Sequence, residues 1–261
     1  MLVRTAVAQI PISWNIPGNL REITRVVEAC ADDDLVVFPE GALSGYGADL
    51  APLSLLDPAE LDAAVTGLAE VAARTGVHVI CGSLVPDAGQ WWNASLVFTP
   101  QGERHTYRKI NLAMNERGVL AAGSALPVYR LALPVGEVTV GTQLCREIRF
   151  PEQWQHLARC GAQMLVYLTN AANPTEPYGV WRSHLISRAA ENQRWVLSAN
   201  VADPVTHCPT MIISPRGEVV AETADGEPAV LRAAIDTSGV GDWYLGQRRH
   251  DVIDARYLGS V

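Results

Sequence analysis

Apolar positions in the first eighty residues alternate between two spacings, one typical of strands and one typical of helices. Residues 6–10 form a short apolar run, which predicts a buried strand. Residues 20–30 then place apolar side chains three and four positions apart, which predicts an amphipathic helix. A second strand is predicted at residues 35–38, and a second helix from residue 61 to about Gly76, where glycine suits a helix end.

The same alternation continues through the middle of the chain, and the last third contains mainly strands. Helices are predicted from Pro151 and at residues 181–193. Further strands are predicted at residues 77–84, 92–98, 138–144, 164–168, 195–199, 211–214, 218–221 and 230–235. We therefore expect an α/β fold over residues 1–261, with sheets covered by helices on their outer faces. We expect one domain, whose tail from about residue 240 wraps the surface or a partner subunit.

The net charge and the cysteine pattern limit the binding partners and the cellular compartment that we expect for this protein. The formal net charge of −8 argues against nucleic acid and anionic membranes as partners. No apolar run approaches the roughly 18 residues of a membrane span. The first residues are typical of a strand rather than a secretion signal, and the five cysteines form no C-x-x-C pair. A reducing cytoplasm with free thiols is the expected location.

Cys145 is the cysteine whose context favours chemistry. It ends the apolar strand predicted at residues 138–144 and precedes the helix predicted at Pro151. A nucleophile on a tight turn between strand and helix is accessible, and backbone N–H groups of such a turn can face an oxyanion. We interpret Cys30, Cys81 and Cys160 as apolar core residues, as most cysteines are.

A cysteine nucleophile needs a base, because the thiolate is the reactive form. Glu40 directly follows the predicted strand 35–38 and Pro39, so its carboxylate would be partly desolvated and more basic. By itself, however, Glu40 could equally be a surface turn residue. Lys109 could be an ordinary surface lysine, but beside Glu40 and Cys145 it would stabilise a thiolate and an oxyanion.

Three short motifs together resemble the nitrilase (carbon–nitrogen hydrolase) superfamily. Glu40 lies in Phe-Pro-Glu, Lys109 in Tyr-Arg-Lys, and Cys145 in Leu-Cys-Arg-Glu-Ile-Arg-Phe-Pro-Glu, in the order of that superfamily's Glu–Lys–Cys triad. The three are separated by 69 and 36 residues, as is typical of the superfamily. Flanking matches are Gly161-Ala162, Arg188-Ala189-Ala190-Glu191-Asn192 and Asn200.

The resemblance implies a four-layer α-β-β-α sandwich with two central mixed sheets, usually assembled as a homodimer or a larger homo-oligomer. It also implies a second glutamate that orients the lysine and the substrate, at the position of Glu116. One departure is notable. The residue after the nucleophile is usually aromatic in this superfamily and is Arg146 here, so its backbone N–H can still serve the oxyanion while its side chain changes the pocket.

The expected reaction is hydrolysis of a non-peptide carbon–nitrogen bond in a small linear amide, through a thioester on Cys145. Glu40 would act as base and then acid, and Lys109 with the Arg146 N–H would hold the oxyanion. This chemistry requires no metal or organic cofactor. Arg146 and Arg149 would suit a carboxylate-bearing amide, unless they pair with nearby acids. The candidate substrate-binding residues are Tyr46, Arg149, Asn170 and Trp181.

Several alternatives share parts of this pattern. A true nitrilase would use the same triad, but that branch tends to carry Trp-Glu after the cysteine, which this chain lacks. An N-carbamoyl hydrolase or an acyltransferase would share the thioester. A thiol hydrolase could pair Cys145 with His184 or His207. A non-catalytic binding protein could retain the fold alone.

Overall fold

The computed structural model describes residues 1–253 and 255–259, which form two six-stranded mixed sheets. The first sheet has the strand order β12-β1-β2-β3-β4-β5. Its strands are β1 (Leu2–Gln9), β2 (Leu35–Val37), β3 (His78–Asp87), β4 (Gln90–Phe98), β5 (Arg104–Arg108) and β12 (Ala229–Asp236). β1, β2 and β3 run parallel, and the remaining pairs are antiparallel.

The second sheet has the order β11-β10-β9-β8-β7-β6 and a similar mixture of directions. Its strands are β6 (Val128–Leu133), β7 (Gly136–Leu144), β8 (Met164–Leu168), β9 (Trp195–Ala199), β10 (Thr210–Ile213) and β11 (Val219–Thr223). β7, β8 and β9 are the parallel strands. Each sheet therefore presents the carboxyl ends of three parallel strands at one edge, where functional residues commonly lie.

Helices cover the outer face of each sheet, which completes the α-β-β-α layering predicted from the sequence. α1 (Ile16–Ala29) and α2 (Pro58–Thr75) pack on the first sheet, and α3 (Pro151–Arg159) and α4 (Tyr178–Asn192) pack on the second. The predicted end of the second helix is confirmed, because Gly76 terminates α2 with a left-handed φ of 74°.

Alternating side chains explain the two main layers of the core. In β1, Val3 and Val7 point between the sheets, whereas Ala6 and Ala8 face the helices. A strand buried on both faces has this pattern, since successive side chains point to opposite sides. Val3 and Val7 thus belong to the apolar layer between the sheets, whereas the fully buried Trp154 of α3 lies between that helix and the second sheet.

Two expectations from the sequence differ from the structure. The edge strand β6 lies in a segment for which no strand was predicted, although every second side chain in it, from Tyr129 to Leu133, is buried. Cys160 is exposed at the C-cap of α3, so its interpretation as a core residue was wrong. Cys30, another C-cap residue, and Cys81 are buried as predicted.

The described residues contain no helix that is both long and apolar enough to cross a bilayer. They also contain no group of three or more histidine, cysteine or acidic side chains arranged to hold a metal ion.

Gly82 in β3 lets the loop after β2 approach the sheet closely. A Cβ atom built at Gly82 would lie 2.4 Å from the carbonyl oxygen of Pro39 and 2.5 Å from Cα of Glu40. The same loop is bonded to β3, because the Gly82 N–H donates to the Pro39 carbonyl at 3.1 Å and the Leu43 N–H donates to the Gly82 carbonyl at 3.1 Å. The position of Glu40 therefore requires glycine at residue 82, because any larger residue would contact the backbone of Pro39 and Glu40.

We predict that Gly82→Ala lowers the free energy of unfolding by about 1–3 kcal/mol, because the added methyl group must push the backbone at Glu40 away. Urea unfolding followed by circular dichroism measures this. Gly67→Ala in α2 is the matched control. Its added Cβ meets only Leu20 Cδ2, at 3.4 Å, so helix propensity should leave stability equal or up to ~1 kcal/mol higher. Equal stability of the two variants would contradict the prediction.

Candidate active site

Glu40 lies just beyond the carboxyl end of β2 and is fully buried. Its Oε1 accepts hydrogen bonds from Asn93 Nδ2 at 2.7 Å and from Lys109 Nζ at 2.8 Å. Its Oε2 accepts one from the backbone N–H of Asn170 at 3.0 Å. Three donors thus orient one carboxylate, and Asn170, which follows β8, comes from the other sheet.

Lys109 follows β5 and is also fully buried. Its backbone N–H donates to the Asn93 carbonyl at 2.8 Å, which extends the β4–β5 pairing by one residue. Its Nζ lies 2.8 Å from Glu40 and 3.0 Å from Glu116. A buried ammonium is stable only when it is paired, and here two carboxylates surround it.

Glu116 is the second of these carboxylates and lies in the loop after Lys109. Besides the lysine, its Oε1 accepts from Tyr46 Oη at 2.9 Å and from Asn93 Nδ2 at 2.5 Å. Its Oε2 accepts from the backbone N–H of Ala113 at 2.5 Å. Asn93 Nδ2 therefore donates to both glutamates, and both carboxylate oxygens of Glu116 accept hydrogen bonds.

The charges in this cluster separate the two glutamates chemically. Burial raises the pKa of Glu40 above its ordinary value, and Lys109 only partly offsets that effect. Burial also acts on Glu116, but Lys109, Asn93 and the Ala113 N–H outweigh it and lower its pKa. Burial disfavours the charged form of Lys109, yet the neighbouring carboxylates reverse this and raise its pKa. Lys109 and Glu116 remain an ion pair, and Glu40 is the carboxylate suited to exchange protons.

Cys145 begins a short 3₁₀ helix, Cys145–Arg149, directly after β7. Its φ of 38° lies in the left-handed region, which costs a non-glycine residue about 1–2 kcal/mol. The Tyr167 hydroxyl on β8 donates a hydrogen bond to the Cys145 carbonyl at 2.7 Å, and this bond stabilises the left-handed conformation. The nucleophile thus sits on a strained turn between strand and helix, as the sequence predicts.

The thiol of Cys145 is protonated in the resting state. Cys145 keeps some exposed surface at the cavity, but the dense surroundings of the thiol raise its pKa to about 12. Burial is the main cause and the charge of Glu40 adds to it, whereas Lys109 opposes both. Because the thiol keeps its proton, it needs a base at the moment it attacks.

Glu147 connects the cysteine turn to the lysine turn. Its Oε2 accepts from the Leu144 N–H at 2.9 Å, just before the nucleophile. Its Oε1 accepts from the N–H groups of Ile110 at 2.9 Å and Asn111 at 3.1 Å, just after Lys109. Tyr107 Oη donates to the same oxygen at 2.7 Å. This buried carboxylate therefore fixes the positions of Cys145 and Lys109 relative to each other.

A small cavity of about 190 Å³ opens at Cys145. Tyr46, Asn170 and Trp181, which the sequence suggested as substrate-binding residues, all line it. Arg149 does not line it. The Arg149 guanidinium instead contacts two residues that do line the cavity. It lies 5.4 Å from the Trp181 ring centroid and 3.6 Å from the Glu176 carboxylate. Other lining residues include Arg146, Asn173, Glu176 and His207.

Hydrogen bonds thus join Glu40, Lys109 and Glu116, and Cys145 lies on a turn that Glu147 links to the residues after Lys109. The catalytic roles assigned to these four residues stay predictions. Sequence reasoning missed Asn93 and Tyr167. Asn93 is a polar residue within an otherwise apolar strand, which was the available signal, and Tyr167 is fully buried beside Trp154 with a ring-centroid distance of 5.7 Å. No histidine within residues 1–253 and 255–259 is hydrogen-bonded to the Cys145 thiol.

We predict that Tyr167→Phe lowers kcat of the enzyme about tenfold or more with little change in KM, because the Cys145 carbonyl loses its fixed partner and the thiol shifts. Steady-state kinetics with a small amide measures this. Tyr129→Phe is the matched control, since the buried Tyr129 hydroxyl has no hydrogen-bond partner in the described part of the chain. An equal loss in both variants would contradict a positioning role for Tyr167.

Several amidases are among the known proteins to which this chain is similar. An (R)-stereoselective amidase of Pseudomonas sp. is 35% identical over 70% of this chain and 64% of its own length. Omega-amidase NIT2 of Danio rerio is 31% identical over 95% of both chains. A 2-oxoglutaramate amidase of Bacillus subtilis is 32% identical over 87% of this chain and 88% of its own length.

A solved structure shares the fold, and a family model identifies the family. An amidase from Nesterenkonia sp. AN1, solved with acrylamide added at its active-site cysteine, superposes with a TM-score of 0.82 at 22% identity, covering 96% of this chain and 98% of that one. Its similarity shows the shared fold. The family model for carbon–nitrogen hydrolases matches residues 4–245. This chain therefore belongs to the carbon–nitrogen hydrolase family.

Proposed function

We propose that this protein is an amidase that hydrolyses small linear amides through a thioester on Cys145. The observation that carries the proposal is the buried group of Glu40, Lys109 and Glu116 beside a thiol at the floor of a small cavity. A base, a fixed positive charge and a nucleophile are the three components that acyl transfer needs. The amidases named among the relatives support the same reaction class.

In the first half-reaction, Glu40 takes the proton of Cys145 as the sulfur attacks the amide carbonyl. Because the pKa of Cys145 is raised to about 12, the proton transfer accompanies attack rather than preceding it. The negative charge moves to the carbonyl oxygen, where Lys109 Nζ and the Arg146 N–H stabilise it. A donor of this kind contributes roughly 10²–10³ to the rate.

The tetrahedral intermediate then collapses, and Glu40 returns its proton to the nitrogen as the carbon–nitrogen bond breaks. A primary amide releases ammonia and leaves the acyl group on the sulfur. In the second half-reaction Glu40 removes a proton from water, water attacks the thioester carbonyl, and the carboxylic acid leaves as Cys145 recovers its proton. One carboxylate serves both half-reactions, which its raised pKa allows.

We further propose that residues 1–261 form one domain and that the tail from about residue 240 covers α3. Arg248 contacts the Gln155 side chain, and the Leu126 N–H donates to Tyr257 Oη at 2.6 Å. Exposed Trp243, Tyr244, Val252, Ile253 and Leu258 give this tail apolar surface that suits a partner subunit, so we propose a homodimer. Sedimentation of a monomer at all concentrations would contradict the dimer.

The proposed location is the cytoplasm, since all five cysteines are free thiols. Recovery of the protein from a secreted or membrane fraction would contradict this proposal.

The central test is trapping of the acyl-enzyme. We predict that Cys145→Ala abolishes turnover, and that Glu40→Gln lowers it by about 10²–10⁴ because both half-reactions lose their proton carrier. Intact-mass spectrometry of acid-quenched enzyme should show an adduct equal to the amide minus ammonia. Cys160→Ala is the matched control, because Cys160 is the exposed cysteine and should leave both adduct and rate unchanged. Turnover by Cys145→Ala would exclude the mechanism.

The same assay separates the related activities. A nitrile hydrolysed to its acid as fast as the amide would favour a nitrilase. Hydroxamate formed in excess over acid when hydroxylamine is present at low concentration would favour acyl transfer over hydrolysis.

The pH dependence follows from the state of Glu40. Its pKa is raised above the ordinary 4.5, and it acts as base only when deprotonated. We therefore predict that kcat/KM for an uncharged amide is present above that raised pKa and is lost as the pH falls through it. No rise near pH 9 is expected, because the Cys145 pKa is not near the ordinary 9.0. Rates measured from about pH 4 to about pH 10 test this, and a rate that follows a pKa near 9 would contradict it.

A further inference from the structure

Thr169 carries a buried hydroxyl group that the proposed mechanism does not use. It directly follows β8, is fully buried, and its backbone N–H donates to the Ala199 carbonyl at 2.9 Å. Its Oγ1 has no hydrogen-bond partner of ordinary geometry within residues 1–253 and 255–259. Valine has nearly the same shape and would fill this space without burying a polar group. The hydroxyl therefore costs stability, and a role in the site would explain its presence.

The register of the parallel strands places Thr169 beside the nucleophile. Leu144 of β7 pairs with Leu168 of β8, so Cys145 and Thr169 are the next residues along two chains that lie about 4.8 Å apart. Alternate side chains of a strand share a face, so Thr169 lies on the same face of the sheet as Tyr167. The Tyr167 hydroxyl already reaches the Cys145 carbonyl from that face, at 2.7 Å. The Thr169 hydroxyl is therefore on the side of the sheet where the nucleophile lies.

The residues on either side of Thr169 both contact the proposed reacting residues. Tyr167 donates to the carbonyl of Cys145, and the Asn170 N–H donates to Oε2 of Glu40 at 3.0 Å. Asn170 also lines the cavity at the nucleophile. Thr169 lies between these two contacts along the chain, so its position is fixed on both sides by hydrogen bonds to the site.

The charges around the sulfur make a neutral donor useful there. Burial and the charge of Glu40 raise the pKa of Cys145 to about 12, whereas Lys109 and the hydroxyl of Thr169 act in the opposite direction. A hydroxyl can rotate to donate to an anion, and it does so without bringing a further charge into the interior. The other titratable groups that interact with the thiol are Glu116, Tyr46, Tyr167 and Cys208.

We propose that the Thr169 hydroxyl donates a hydrogen bond to the Cys145 sulfur whenever the sulfur carries negative charge. The inference rests on the proposed amidase function and adds a residue to its machinery. In the first half-reaction the thiol proton passes to Glu40 while the carbon–sulfur bond forms, and Thr169 keeps its own proton. In the second, the carbon–sulfur bond breaks and its electron pair stays on the sulfur. The same hydrogen bond then stabilises the departing thiolate until Glu40 returns the proton.

The reactivity of the thiol tests this contact without any amide. Methyl methanethiolsulfonate is small and uncharged, and a thiolate attacks its sulfur, forms a disulfide and expels methanesulfinate. The rate at about pH 8, followed by mass spectrometry of the peptide that contains residue 145, reports how readily Cys145 forms a thiolate. We expect Thr169→Val to lower this rate about tenfold or more, and Thr169→Ser, which keeps the hydroxyl, to stay within about threefold of the unmodified protein.

Turnover and stability separate a chemical role of Thr169 from a structural one. We expect Thr169→Val to lower kcat for a small amide about tenfold or more with little change in KM, and serine to recover most of the loss. Because valine removes an unpartnered buried hydroxyl, the melting temperature of Thr169→Val should be equal or higher.

Thr142→Val is the matched control. Thr142 is buried, and its Oγ1 likewise has no partner in the described part of the chain. It pairs with Val166, so its side chain lies on the opposite face of the sheet from Tyr167. This variant should leave both the thiol reactivity and kcat unchanged.

The outcomes distinguish the two proposals. Unchanged thiol reactivity in Thr169→Val, or an equal loss in Thr142→Val, would overturn the contact with the sulfur and leave the amidase proposal intact. A lower melting temperature of Thr169→Val together with no recovery by serine would also overturn it, because the residue would then act through packing. Absence of amide turnover and of a Cys145 adduct in the unmodified protein would overturn the amidase proposal, and the thiol reaction would still decide whether Thr169 contacts the sulfur.

Discussion

The site depends on one electrostatic constraint: the ammonium of Lys109 is completely buried and must be neutralised where it lies. Glu40 and Glu116 do this at 2.8 and 3.0 Å, and Asn93 links the two carboxylates. Removing Lys109 would leave two buried carboxylates without a countercharge, and removing Glu116 would leave the lysine paired only with the acid that must exchange protons. The three side chains therefore form one unit, in which Glu116 keeps the lysine charged and Glu40 is left to exchange protons.

The second requirement is that this unit and the nucleophile keep a fixed position relative to each other, although they belong to different sheets. Glu40, Asn93 and Lys109 come from the first sheet, and Cys145 comes from the second. Hydrogen bonds cross between them in both directions. Glu147 reaches from the cysteine turn to the backbone after Lys109, and the Asn170 N–H reaches from the end of β8 to Glu40. The apolar packing between the sheets fixes their separation, and these polar contacts fix the site to within hydrogen-bond tolerance.

Much of this arrangement could be predicted from the sequence. The spacing of apolar residues gave most helices and strands, and the ends of the predicted strands located Glu40 and Cys145. Lys109 required the resemblance to a family, because nothing local distinguishes a buried lysine from an exposed one. Asn93 and Tyr167 could not be assigned, since their contacts depend on strand register and on the conformation of a turn 22 residues away. The edge strand β6 was missed although its alternation is regular.

The contacts of His207 show a different limit. Its tautomer is set by a backbone amide 34 residues away, which only the folded chain reveals. The same holds for the two arginines after the nucleophile, whose pairing the sequence left undecided. The folded chain pairs one and leaves the other at the cavity.

The hydrogen bonds of Glu40 also determine which of its oxygens is chemically active. Each carboxylate oxygen has two lone pairs, and both on Oε1 are occupied by Asn93 and Lys109. Among the residues that the structure describes, the Asn170 N–H is the one donor to Oε2, so one lone pair remains. Every proton that Glu40 receives must therefore bind at that single position. The thiol, the departing nitrogen and the incoming water must then all approach Glu40 Oε2 from the same side. They can therefore exchange protons with it only one after another.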